Sequence, residues 1–446
     1  MKTRKVLAII FALILVPALF AGCGSSEPAA ATPPPTSQPS SSSSSTPATT
    51  APAASGQTGS EPTDTGSDWP DGPPLVIGHI LDLTGAESSS GLLCQRSFNF
   101  AVEALGGKFA GREIQIIEGD AGGNAGTALE WAKRMVEEYH VEAIFGPTQM
   151  GEKTQVASYV AEAGVPLVLY NPTPPNLLAS ENPWLVGVGG SSAQSPSVMA
   201  DYSYNVLGIR KVHTIYMDNA GGMAFIKPFV SAFEALGGTI VSAQGCPVPT
   251  ADFAPYFANM TDDADAIVSW TSGSDAINLL TAWYDAGLSD KLPIVAPFNA
   301  GFLDYHVMEA IDGRNPAITA AIEGTYVPIA YVYNTGTPEN EEFVSMWREK
   351  FGEVPPGGNL PGDIFQSVLV FKTAVEDLGG TTTPETLLNA LFSVDITGPV
   401  GHVNFNNAQV ATRDIHIVQV TRLEDKSFNY SIVTTYKDVS PSGYGS

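Results

Sequence analysis

From Leu75 onward, short runs of apolar and β-branched residues alternate with amphipathic stretches of helix length. That alternation is the pattern of repeated strand and helix units built around a parallel sheet. It predicts strands over 75–80, 113–118, 143–145 and 166–170, with helices over 92–105, 126–139 and 152–163. A second set follows: strands over 212–217, 239–244, 266–270 and 294–297, and helices over 223–236 and 274–286. The chain therefore reads as two doubly wound α/β lobes. From Gly324 a strand over 325–331 leads to helices over 338–351, 362–378 and 384–392, then to short strands near Val403 and His416. In open α/β sheets ligands sit beyond the carboxyl ends of the strands, so two facing sheets place the loops of both lobes around one cleft.

The front of the chain has a different texture. Lys2, Arg4 and Lys5 precede an apolar run over 6–20, and Ala21-Gly22-Cys23 follows, the layout of an export signal with a small-residue cleavage site. The run is shorter than the ~20 residues of a membrane-spanning helix, and no later segment approaches that length without a charge, Gly or Pro. The stretch around Cys23 resembles a bacterial lipobox, which implies a lipid on Cys23 as the mature N-terminus. Residues 24–74 are almost all Ser, Pro, Thr, Ala, Gly and a few acids, with Trp69 the one large apolar side chain. Such a segment cannot bury a core and reads as a tether. The expected organisation is a signal over 1–22, an anchored linker over 23–74, a first lobe over 75–193 and a second over 194–323. Residues 324–412 are expected to return to the first lobe and 413–446 to the second.

A formal charge of −25 excludes an electrostatic nucleic-acid binder. Gly146 to Thr154 comes within one residue of a phosphate-binding loop, but Glu152 separates the second glycine from Lys153, bringing negative charge to the phosphate position and turning the lysine away. The helix start there still offers N–H groups suited to a carboxylate. No Gly-x-Ser-x-Gly elbow occurs, the six histidines are isolated, and the acid pairs 137–138, 262–263 and 341–342 fall on polar faces or in a loop. No enzyme, metal or cofactor is expected. Cys94 and Cys246 belong to different lobes, where a bridge would forbid closure, and are expected as buried thiols.

Ile77 to Gly91, Gly106 to Ile114, Asp120 and Gly146-Pro147 together resemble the type I periplasmic solute-binding proteins of branched-chain amino-acid ABC importers. Thr173 to Leu177, Asp252-Phe253, Tyr284 to Leu288 and Val403 to Phe405 follow in the same order. The resemblance implies two Rossmann-like lobes of the Venus-flytrap type joined by three crossovers, near 191–196, 322–325 and 412–415. It also implies a monomer that closes on a small solute and docks onto a permease with its ATPase, outside the cytoplasm. A different role for the same fold is a sensor lobe that reports ligand to a signalling partner without uptake.

Carried over residue by residue, the resemblance places Met150 and Gly151 at the loop that holds a ligand carboxylate, Thr173 as a second carboxylate contact, and Asp218 at the mouth of the second lobe. Met150 stands where the family commonly has serine, Gly222 where it often has an aromatic, and Phe298 where it has the acid that neutralises an ammonium. A buried ammonium without a carboxylate costs several kcal/mol, so Asp275, or else Asp218 or Asp304, would have to replace that acid. Tyr170, Trp270, Phe298 and Phe302 add flat apolar surface at predicted strand ends. The expected ligand is an amino acid or amino-acid-like solute, with aromatic or apolar carboxylates favoured over sugars.

Overall fold

The computed structural model describes residues 69–445, apart from 86, 179–181, 299–304, 357, 406–408 and 423–427. The export signal, Cys23 and the tether as far as residue 68 lie outside these residues, as do Phe302 and Asp304. Among the described residues no helix is long and apolar enough to cross a membrane.

Leu75–Leu81 forms β1, which is buried along nearly its whole length. Burial on both faces explains a strand without polar alternation. After α1 (Ser88–Ala104) come β2 (Lys108–Phe109), β3 (Arg112–Asp120), α2 (Ala125–Glu137), β4 (Ala143–Phe145), α3 (Met150–Ala163), β5 (Leu167–Leu169), α4 (Pro175–Leu178) and β6 (Leu185–Gly187). They build a six-stranded sheet in the order β2-β3-β1-β4-β5-β6, parallel except for the β2–β3 pair. Register is fixed by apolar pairs such as Ile77 with Ile116 and Ala143. At Gly119 any Cβ would come within 2.6 Å of the Trp131 ring, so glycine lets α2 lie flat on β3.

The second lobe begins with α5 (Gln194–Asp201), continues as a π-helical turn over Tyr202–Val206, and adds β7 (Lys211–Met217), α6 (Ala220–Ala235), β8 (Thr239–Cys246), α7 (Ala254–Ala258), β9 (Ala266–Trp270), α8 (Gly273–Asp285) and β10 (Ile294–Val295). Its parallel sheet runs β10-β9-β7-β8. Helices α9 (Tyr305–Arg314) and α10 (Pro316–Ile322) lead to β11 (Tyr326–Ile329). The chain then makes α11 (Pro338–Phe351), α12 (Leu360–Asp377), α13 (Pro384–Ser393), a hairpin of β12 (Asp395–Gly398) and β13 (Gly401–Asn404), and the long pair β14 (Arg413–Arg422) and β15 (Phe428–Val439).

Two regions differ from the expected division. β11 pairs antiparallel with β14, and its Val327 and Ile329 enter the core that holds Ile215, Trp283 and Val418. The start of the 324–412 segment therefore belongs to the second lobe, and the chain crosses back after β11, with Tyr331 and Phe343 joining the first lobe's core. At the front, residues 69–74 are docked rather than free. Arg112, 8% exposed, donates to the carbonyls of Pro73 and Pro74, to Gly380 and Thr382, and to Glu142 in a buried ion pair.

The first and third crossovers meet at one buried amide. Gln194 accepts from Ser191 N–H at 2.8 Å and donates to the Ala411 and Val439 carbonyls at 3.1 and 2.8 Å. Beside it Arg413 and Asp363 approach to 2.7 Å, both fully enclosed. Cys94 in α1 and Cys246 at the end of β8 are free, buried thiols, raised by burial to about 12 and about 11.

Candidate functional site

The carboxyl ends of β1, β4 and β5 carry the polar groups of the first lobe. Asp82, just past β1, is completely buried and accepts from Gly123 N–H at 2.7 Å and the Thr148 hydroxyl at 2.9 Å. Thr148 and Asn171, past β4 and β5, are tied by a 3.0 Å bond from the Asn171 amide to the Thr148 carbonyl. Helix α3 begins between them. Gln149 caps it with extended backbone and no side-chain hydrogen bond, so the N–H groups of its first turn are not taken by a cap.

Met150 opens α3 and is 8% exposed. It packs in one cluster with Ala224 and Phe225 of α6, Phe298 past β10, and Trp270 at the end of β9, so this single side chain joins the first lobe to the second. Phe225 lies at the centre, stacked on Phe298 (4.3 Å between centroids, 13° between planes) and on Trp270 (5.1 Å, 28°). Each such pair adds about 0.5–1.5 kcal/mol beyond area burial. Trp270 keeps a buried ring N–H without a partner.

Met150, Trp270 and Phe298 are thus brought together. Gly151 is exposed, with open space around it. Thr173, past β5, is fully buried against the first crossover, its backbone bonded to Gly190 and Ser192, and its hydroxyl, held near Gly187, has no hydrogen-bond partner. Tyr170 turns into the first lobe's core, where its hydroxyl meets His79 Nε2 at 3.2 Å. Burial there lowers His79 to about 3.

The two acids expected to serve an ammonium are placed otherwise. Asp275 is 2% exposed in the first turn of α8, where its carboxylate accepts from Thr250 N–H at 3.1 Å. It holds the loop after β8 and the start of its own helix. Asp218 is exposed, beside Gly245 at the edge of the sheet.

Two residues that matter here escaped the sequence reading. One is Phe225. At Gly222 a Cβ would lie 1.9 Å from the Met217 carbonyl oxygen, so no aromatic fits, and Phe225, one helical step further along α6, supplies the ring instead. The other is Lys153, read as turned away yet fully buried, with Nζ 2.7 Å from the Pro172 carbonyl and 4.0 Å from Met150 Sδ. Desolvation lowers it to about 7. Its neighbour Glu152, 1% exposed, is pushed up to about 8 by burial and by Asp82. No group of His, Cys, Asp and Glu suited to a metal ion occurs among the described residues.

Comparison with known proteins agrees with this fold. Residues 74–427 match the periplasmic binding protein family. A Leu/Ile/Val-binding protein homolog from Brucella melitensis is 22% identical over 317 residues, spanning 70% of this chain and 78% of that one. An ABC transporter substrate-binding protein from Sphaerobacter thermophilus superposes with a TM-score of 0.73 at 27% identity, covering 82% of this chain and 98% of the other. A solute binding protein of an ABC transporter from Rhodopseudomonas palustris, in complex with 3,4-dihydroxybenzoic acid, gives a TM-score of 0.73 at 21% identity, covering 83% and 98%. With a family match over most of its length, the chain belongs to the periplasmic binding proteins, non-enzymatic solute-binding proteins of ABC transporters.

Proposed function

We propose that this chain is a lipid-anchored, extracytoplasmic receptor that captures a small apolar or aromatic carboxylate between its lobes and delivers it to a permease and ATPase. The observation that carries the reading is the cluster of Met150 with Phe225, Phe298 and Trp270, an apolar seam between the lobes where a zwitterion would need paired charges. Asp275 is engaged by Thr250 N–H and Asp218 lies exposed at the sheet edge, so neither is held against this seam to pair with an ammonium. One relative is named for Leu, Ile and Val, and one structural neighbour holds 3,4-dihydroxybenzoic acid. Of these chemistries the aromatic acid suits the stacked rings better. A ligand touching both lobes favours the closed arrangement by its differential affinity, and the permease reads that arrangement.

Thermal unfolding of the purified chain tests this against benzoate, 4-hydroxybenzoate, L-leucine, L-valine, glucose and putrescine. Stabilisation grows with ligand concentration over Kd. The aromatic acids should raise the melting temperature most. A rise with glucose or putrescine alone would reject the reading, and a rise confined to leucine and valine would return the ligand to branched-chain amino acids. C23A should keep solute binding and lose membrane attachment, measured by fractionation.

A further inference from the structure

Two features of the first lobe converge on one position. Lys153 is wholly enclosed, and an ammonium carries three N–H donors. Its hydrogen bonds are to the Pro172 carbonyl at 2.7 Å and, weakly, to the Met150 sulfur at 4.0 Å. Pro172 precedes Thr173, and Met150 is the side chain that reaches the aromatic stack, so Nζ lies between the two loops that face the cleft. The start of α3, which Met150 opens, adds N–H groups that the N-cap side chain does not take. No acid forms an ion pair with Lys153 among the described residues, although the charge of Glu152 raises it. Asp82 is committed to Gly123 and Thr148, and Glu152, pressed against Asp82, holds its proton at neutral pH.

We propose that Lys153 is the counter-charge for the carboxylate of the bound solute, reached when Met150 shifts aside and the acid group settles between the start of α3 and the Pro172–Thr173 loop. This deepens the function proposed above and rests on it. Recognition then divides cleanly: charge from Lys153 on the first lobe, flat apolar surface from Phe225, Phe298 and Trp270 on the second. A carboxylate arriving beside the lysine favours its charged form, so binding takes up a proton wherever the free lysine is neutral. Glu152, Asp82, Cys94 and Tyr170 share this enclosure, and of these Glu152 titrates nearest neutrality.

The test is calorimetric titration of the full chain with benzoate, its neutral isostere benzamide, and L-leucine, repeated in buffers of different ionisation enthalpy. Wild type should bind benzoate with proton uptake above about pH 7, its affinity falling up to about tenfold per pH unit there. That dependence should persist in E152Q. K153M should weaken benzoate about 30-fold and leave benzamide unchanged, and K153R should recover part of the loss. Should K153M fail to fold, the wild-type proton uptake decides. Benzoate binding without proton uptake, or undiminished in K153M, overturns the role of Lys153 while leaving the receptor function standing. Failure of wild type to bind any carboxylate overturns both.

Discussion

The two walls of the cleft are made of different matter. The first lobe offers Asp82, Thr148, Glu152, Lys153 and Thr173, almost all buried, with Asp82, Thr148 and Lys153 hydrogen-bonded to loop backbone or to one another around the start of one helix. The second offers a stack of three aromatic rings. Each wall matches its own strand ends: the first lobe's loops are held by many polar bonds, whereas β7 and β9 end in apolar residues with α6 leaning across them. A buried polar wall is costly unless each group is matched, and an aromatic wall tolerates many ring-bearing solutes. Specificity for the charged end should therefore reside in the first lobe, and tolerance of the rest in the second.

The largest expected effect comes from G222A. A methyl 1.9 Å from the Met217 carbonyl oxygen forces the backbone apart, so chemical denaturation should show a loss of about 3 kcal/mol or more. A near-neutral result would mean that glycine is not what places Phe225 at the centre of the stack. F225A removes that centre and should cost about 3 kcal/mol while weakening benzoate and benzamide alike. If benzoate alone suffered, the division between the walls would be wrong. D275A should cost about 2 kcal/mol by leaving Thr250 N–H unsatisfied, with solute affinity unchanged. A loss of leucine binding in this variant would restore Asp275 to the site. M150L keeps volume and apolarity and should cost less than about 1 kcal/mol.

E152Q keeps the shape of the protonated carboxyl and should differ least from wild type below about pH 4.5, where Glu152 is protonated both folded and unfolded. Its folded pKa of about 8 stands above the ordinary 4.5, so the stability it contributes is complete below about pH 4.5 and is lost as pH rises through about 8. E152Q should flatten the alkaline decline of denaturation midpoints over that window. A decline as steep as wild type would place the titrating group elsewhere.

Fold was more legible in the sequence than site. The strands at 143–145 and 266–270 are where apolar runs between glycine, proline and acidic punctuation put them, because parallel strands buried on both faces leave little ambiguity. β15 escaped because its burial is patchy, with Val433, Thr434 and Lys437 exposed, so no clean alternation marks it. β6 escaped because three residues make too short a run. At the site, Asp275 sits two residues into a helix after Ser272-Gly273-Ser274, a position where an acid commonly serves the helix start, and that reading was open from sequence. Phe225 was legible as the i+3 neighbour of Gly222. Lys153 was not. Its direction depends on how α3 leaves β4, and comparison with a phosphate loop turned it the wrong way.

Gln194 touches neither the rings nor the lysine, yet it fastens the segments on which both lobes hang. One amide side chain, with its acceptor and both donors spent, pins Ser191 of the first crossover, Ala411 of the third and Val439 at the end of β15 to a common point. Strands fastened this way cannot slide past one another or part independently. For the closure proposed above, that leaves a swing about a fixed pivot, on which small rotations near the amide would become wide travel at the far edge of each lobe.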